Sequence, residues 1–179
     1  VSDPYIWRHP FSGLPIPVRW TYTVQTAGPT GTLNVPSDAM LWNAQVNQWQ
    51  AVGSGVQAKS AVTFDLSKYV GTKWHNNQTI TWADVLFPIV QDFELAFDTE
   101  KSTIEGSTSA REQAYLPPFK GFKIVGNTLI VYVDFWHFDE NYIADYADVI
   151  GEDPPSGHYP WEVLAAMDTV VYTDKAVMY

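Results

Sequence analysis

Val62-Thr63-Phe64-Asp65-Leu66, then Lys73-Trp74-His75-Asn76-Asn77, then Ile80-Thr81-Trp82-Ala83-Asp84-Val85 form the stretch whose local chemistry is least ambiguous in this chain. Ala61 and Thr63 alternate with Val62 and Phe64, the period of two that a strand with unlike faces requires. Residues 73 to 80 are polar and rich in Asn, which predicts a tight turn. Thr81 is a good helix N-cap, and Asp84 three residues later supplies the acid of a shortened capping box. Val85, Ile89, Phe93 and Ala96 then make an apolar stripe, so the pattern predicts a helix to about Asp98, kinked at Pro88.

The flanking sequence is read by the same two periods. Asp3 to Pro17 is rich in Pro and aromatics without either period, which predicts an irregular arm. Trp20, Tyr22 and Val24 alternate from Arg19 onward, a strand that ends in the turn cluster Ala27-Gly28-Pro29-Thr30-Gly31. Met40 to Val52 fits a helical stripe of Trp42, Val46 and Trp49, and also two short strands around Ala44 to Asn47; the hairpin is the preferred reading. Residues 99 to 118 read as a long polar connection with one helical turn around Ala110 to Tyr115. Phe119 to Val125, the turn Gly126-Asn127 and Thr128 to Phe135 predict a hairpin, with Leu129, Val131 and Val133 on one face. An aromatic, acidic stretch from Phe135 to Asp148 follows, then a loop at Glu152 to His158, a short helix opened by Pro160 and a strand-like run from Val170 to Tyr179. The expected fold is α+β: a mixed, mainly antiparallel sheet with a few helices, over residues 1–179 as one domain or subdomain.

With 46% apolar and 17% charged residues in 179, the chain has the composition of a folded domain rather than an acidic tail. A net charge of −10 argues against nucleic acid as a partner, since phosphate binding needs clustered Lys and Arg. That charge is unevenly placed: residues 1–123 carry 10 acidic and 9 basic side chains, whereas residues 124–179 carry 10 acidic ones and only Lys175. Without cysteine there is no disulfide, thiolate nucleophile or zinc-thiolate site. No apolar run approaches the roughly 20 residues that span a bilayer. The chain begins at Val1 rather than Met, so both ends are treated as cut points and a fragment of a longer protein is expected.

Motifs that carry chemistry are sparse. Gly53-Ser54-Gly55-Val56-Gln57-Ala58 matches the letters of a dinucleotide fingerprint, but a strand pattern follows where the pyrophosphate requires a helix N-terminus, so a plain glycine turn is the better reading. His9, His75, His137 and His158 are scattered; His137-Phe138-Asp139-Glu140 could bring an imidazole and carboxylates to one metal, yet surface residues after a strand account for it better. Asp134, Asp139, Glu140, Asp145 and Asp148 offer carboxylate pairs for glycoside chemistry, weighed against a solvated acidic face. Neither a nucleophile elbow nor a phosphate-cradling glycine loop occurs, so no catalytic residue, metal or cofactor is assigned. Asn77-Gln78-Thr79 is the one N-glycosylation sequon and makes Asn77 a candidate for extracytoplasmic modification. Eight tryptophans suit either a carbohydrate or peptide platform or, as the commoner use, a core.

The stretch from Val62 to Val85 resembles the signature of the peptide- and nickel-type (family 5) extracellular solute-binding proteins of ABC transporters, in which a strand leads through a Lys-Phe-His-Asp-Gly-like turn to a Thr-capped helix. Lys73, His75, Thr81, Asp84 and Val85 match, and Trp74 stands at the aromatic position. Asn76-Asn77 replaces the usual Asp-Gly, Thr79 the usual Pro, and Trp82-Ala83 the usual Ala-Glu. Gly121 to Val125 with Thr128 to Asp134 resembles that family's following hairpin, and Tyr159-Pro160-Trp161-Glu162 its later proline-opened helix. The aromatic, lysine-poor flavour is similar to archaeal members.

The resemblance implies the smaller subdomain of the first lobe of a two-lobed, periplasmic-type receptor. It also implies capture of oligopeptides or similar solutes, delivery to a membrane permease, contact with the remaining lobes of the same chain, an extracytoplasmic location with a membrane tether outside these residues, and no catalysis. Residues 73–85 would then scaffold rather than touch ligand, and no ligand-binding residue is carried over. The runner-up expectation is a secreted carbohydrate-binding or glycoside-cleaving domain, and a third is an interaction domain whose acidic face meets a basic partner.

Overall fold

The computed structural model of the chain describes residues 6–13, 15–17, 20–149 and 159–175. Ile6–Arg8 (β1) and Pro15–Pro17 (β2) pair as a small antiparallel ribbon, closed where Gly13 N donates to the His9 carbonyl at 2.8 Å. This corrects the expected irregular arm: strands of three residues are too short to display an alternation.

The central sheet has six strands in the order β3 (Thr21–Thr26), β8 (Ser60–Asp65), β10 (Thr128–Val133), β9 (Phe119–Val125), β5 (Met40–Asn43) and β6 (Gln48–Ala51). Every pairing within it is antiparallel. A two-stranded ribbon, β4 (Leu33–Asn34) with β7 (Gln57–Ala58), stands apart from it. The expected α+β class with a mainly antiparallel sheet is what the chain adopts.

Alternation along β8 and β10 sorts the side chains onto two faces. Val62, Phe64, Leu129, Val131 and Val133 join one buried core with Val85, Ile89 and Phe93 of α1 (Trp82–Phe97). Ala61 and Tyr132 point the other way and pack with Val35, Ala39 and Ala58 near the β4–β7 ribbon. The 40–52 ambiguity resolves as the hairpin: Trp42 lies opposite Trp49, with rings 5.6 Å apart edge to face, and Asn47 takes the left-handed turn position at φ 51°. Gly53 and Gly55 also have positive φ, and β7 follows them directly, so this loop is a glycine turn and opens no helix.

Three segments differ from expectation. Residues 99–115 form two helices, α2 (Thr99–Ile104) and α3 (Gly106–Tyr115), instead of a connection with one turn. They lack an apolar stripe because polar contacts anchor them: Asp98 caps α2 through Glu100 N and Lys101 N, and Gln113 Nε2 donates to the Ala96 carbonyl at 2.8 Å. The acidic stretch contains α4 (Glu140–Ala147), capped by Asp139 and buried through Ile143, Ala144 and Ala147. Beyond α5 (Trp161–Asp168), residues Thr169–Thr173 make a π-helical turn, not a strand. Val171 and Tyr172 pack there with Leu95, and that tertiary contact overrides the β-branched composition. The expected loop at Glu152 to His158 and the residues after Lys175 lie outside the described residues.

The β9–β10 register shifts between Tyr132 and Val133, and Gly121 sits beside that bulge at φ 153°. A Cβ there would lie 3.1 Å from Ala39 Cβ and 3.3 Å from Val52 Cγ1. Gly121→Ala is expected to destabilise the protein by about 1–3 kcal/mol through overpacking and backbone strain, measured by urea unfolding; a change below about 0.5 kcal/mol would show that the two sheet layers yield freely.

Candidate functional site

The 73–85 motif folds as a closed unit. Gly71 N donates to the Ile80 carbonyl and Ile80 N to the Thr72 carbonyl, both at 2.8 Å, while Trp74 N reaches the Gln78 carbonyl at 2.9 Å. Asn77 occupies the turn position that demands φ 72°, a conformation Asn tolerates better than most residues, and its Oδ1 accepts from Lys73 Nζ at 2.8 Å. His75, Asn76 and Asn77 are exposed, so the sequon stands on an accessible turn. Val85 is fully buried in the main core.

Asp84 is the centre of the unit. It is only 5% exposed, yet its carboxylate accepts four hydrogen bonds: Thr81 N at 2.7 Å and Thr81 Oγ1 at 3.1 Å on Oδ2, Trp74 Nε1 at 3.2 Å and Trp161 N at 3.1 Å on Oδ1. An ionised carboxylate offers about four acceptor positions, so its capacity is used. Thr81 Oγ1 in turn accepts from Ala83 N at 3.3 Å, completing the capping box. Trp161 is the first residue of α5, whose own N-cap, Pro160, makes no side-chain cap. Asp84 therefore caps two helices, its own in the first turn and α5 from 77 residues away, and its negative charge lies at both positive ends. Of the residues expected to scaffold, Trp74 and Thr81 meet at this carboxylate, Lys73 and Asn77 bond each other, His75 and Asn76 stand exposed on the turn, and Val85 joins the core. The backbone amide of Trp161 was not foreseen, although the Pro160-opened helix was.

A second polar cluster holds the other end of α5. Asp168 accepts from Gln91 Nε2 at 2.6 Å and from Lys101 Nζ at 3.4 Å, and Lys101 also pairs with Glu94. The ammonium lies 4.8 Å from the centroid of the Tyr172 ring. Burial disfavours the charge on Lys101, but the hydrogen bond to Glu94 and the charges of Asp168 and Glu94 outweigh it and raise its pKa. Burial, then the charges of Asp168, Glu105, Glu94 and Asp98, push the Tyr172 phenol far above its ordinary value.

The remaining expected sites are placed as follows. Among the described residues no three His, Asp or Glu side chains converge on a metal position. The His137 ring lies against Phe138 and Tyr142, at 4.2 and 4.7 Å between centroids. The acidic stretch is not uniformly solvated: Asp148 is buried, Asp139 caps α4, and Asp134 and Glu140 are exposed. Burial and then the charges of Asp139, Asp145 and Asp148 raise the Tyr22 phenol, whose hydroxyl donates to Asn141 Oδ1 at 2.8 Å. Trp20 is buried, Trp42, Trp49, Trp74 and Trp82 pack against the main core, and Trp136 and Trp161 are exposed. Two grooves of about 470 and 310 Å³ open beside the β5–β6 hairpin, and neither is lined by a motif residue from 73 to 85. No helix among the described residues is long and apolar enough to cross a membrane. No protein-family model matches the chain, and no curated protein matches it.

Two expectations test this site. Asp84→Ala removes the acceptor of four donors, three of them on other residues' backbone or indole N–H groups, and is expected to cost about 3 kcal/mol, against about 1 kcal/mol for Thr81→Ala. The two losses should be less than additive in denaturant unfolding, because Thr81 acts partly through Asp84. The second concerns alkali. Raised folded-state values for Lys101 and Tyr172 mean that their stabilisation is complete below the unfolded values near pH 10 and is lost as pH rises through the folded ones. Stability should fall above about pH 10, and Tyr172→Phe should remove one late tyrosinate step from an ultraviolet absorbance titration.

Proposed function

We propose that this chain is part of an extracytoplasmic solute-binding receptor of an ABC importer, of the peptide- and nickel-binding type, and that residues 73–85 are scaffold within it. The observation that carries the reading is the Asp84 node, where one buried carboxylate ties the Lys73–Asn77 turn, the Thr81-capped helix and the Pro160-opened helix together. These are three of the pieces by which the sequence resembles that family, and their physical interdependence is a reason for them to occur as a set.

On this reading the receptor binds oligopeptides or similar solutes between lobes of the complete chain and presents them to a membrane permease. Closure is a population shift driven by contacts stronger in the closed form. The subdomain's part is to hold its lobe rigid, which suits a motif whose polar groups are spent on one another. Neither catalysis nor a cofactor is invoked, and a tether to the membrane lies in sequence beyond these residues.

The test uses the intact gene product. Tryptophan fluorescence should respond saturably to short peptides and not to oligosaccharides, and Thr81→Ala should leave peptide affinity unchanged under conditions where the receptor stays folded. Saturable binding of oligosaccharides alone would favour the secreted carbohydrate-binding reading. A peptide-affinity loss in Thr81→Ala beyond its effect on stability would contradict the scaffold role.

A further inference from the structure

The segment that leaves β10 alternates its exposure residue by residue: Asp134, Trp136, Phe138 and Glu140 face outward, and Phe135, His137 and Asp139 are partly buried. Phe138 is 82% exposed and Trp136 36%, whereas most aromatics of this protein serve its cores. The inward side chains and the backbone hold the strip in place. Asp134 N donates to the Pro118 carbonyl at 2.7 Å and Ser60 Oγ to the Phe135 carbonyl at 2.8 Å. The Phe135 ring stacks on Tyr146 at 4.1 Å, and Asp139 N donates to His137 Nδ1 at 3.1 Å. Asp139 then caps α4 through Asn141 N at 3.0 Å. Two outward aromatic rings are thus flanked by two outward carboxylates on a backbone that is already ordered.

Glu140 stands in the first turn of α4, where the helix dipole favours an acid, but among the described residues no hydrogen bond, ion pair or ring contact of the fold engages the Asp134 or Trp136 side chain or the outer face of Phe138. Among the described residues neither Asp134 nor Glu140 has an ion-pair partner, and no Lys or Arg occurs between residues 124 and 174. A ring face attracts a cation and a carboxylate pairs with it, so the alternation of acid, aromatic, aromatic and acid is complementary to positive charge carried on apolar stems. Asp134, Phe138 and Asp139 lie at bends and Glu140 opens α4, so the acids and rings follow a bent path rather than a strand, and what they share is outward exposure and charge. A backbone held by its hydrogen bonds also avoids part of the entropy cost of ordering on binding.

We propose that Asp134–Glu140 is a docking site for a basic segment of a partner protein, with Arg or Lys side chains lying over Trp136 and Phe138 and paired with Asp134 and Glu140. The proposal is independent of the transport reading, and it gives two of the ten acidic residues after residue 123 a role.

The probe is the peptide acetyl-(Arg-Ala)₃-amide, titrated into the full chain and followed by nuclear magnetic resonance of the Trp136 indole N–H. Saturable binding is expected, weakening several-fold between about 50 and about 300 mM salt as screening shortens. Trp136→Ala with Phe138→Ala should lose about tenfold in affinity, Asp134→Asn with Glu140→Gln several-fold, and Asp38→Asn with Asp65→Asn nothing. Trp136→Phe keeps a ring in place and should retain most of the binding, which separates loss of the site from loss of the fold. The proposal is overturned if the peptide does not bind, or if the aromatic double variant binds as well as wild type, which would mean diffuse attraction to the net negative charge. Saturation of the same indole by an uncharged oligosaccharide, or self-association that depends on Phe138, would overturn it too.

Discussion

A buried carboxylate is tolerated only when its charge is compensated by hydrogen bonds, and in this protein that requirement organises the structure around Asp84. Its four donors come from a helix cap, an indole in the preceding turn and the first amide of a helix much later in the chain. Trp74, fixed at its nitrogen by Asp84, lays its ring edgewise on Tyr69 at 6.3 Å, and Tyr69 lies on Trp20 at 5.5 Å. The polar node is thereby continuous with the aromatic part of the main core.

The same logic recurs at the far end of α5, where Lys101 rather than a carboxylate is the shared group. α5 and the π-helical turn bury little of their own: Leu164, Val171 and Tyr172. Their placement depends on polar attachments at both ends, Asp84 to Trp161 and Lys101 with Gln91 to Asp168. α3 is held in a comparable way, by Gln113 on the Ala96 carbonyl and by reciprocal bonds in which Tyr115 Oη donates to the Tyr146 carbonyl at 2.6 Å and Tyr146 Oη to the Tyr115 carbonyl at 2.9 Å. The sheet and α1 are assembled by apolar burial, and the outer helices are fastened to them by specific hydrogen bonds.

This division explains which elements were legible in advance. β3, β8, the 40–52 hairpin, the 119–133 hairpin and α1 bury one face in apolar contact, and that leaves a period of two or of three to four in the sequence. α2 and α3 read as a connection because their anchors are Lys101 and Gln113, residues whose letters look the same in a loop, and α4 reads as acidic surface because its buried Ile143, Ala144 and Ala147 are too few, and two of them too small, to stand out among the acids. The capping half of the candidate site was readable, since Thr81 and Asp84 are three residues apart. Its tertiary half was not, and neither was the outward placement of Trp136 and Phe138, next to a Phe135 that stacks on Tyr146 and whose carbonyl accepts from Ser60.

The sequence by itself determined the α+β class, the strand faces, the start of α1 and its capping box, because alternation and capping are written within a few residues of one another. Only the tertiary structure decided that the second oxygen of Asp84 caps another helix, that the acidic stretch splits into a buried Asp148, a capping Asp139 and an outward acid–aromatic strip, and that a β-branched run becomes a π-helical turn. The reason is distance along the chain. A hydrogen bond across 77 residues leaves no periodicity at either end, so its partners are visible only when the fold has brought them together.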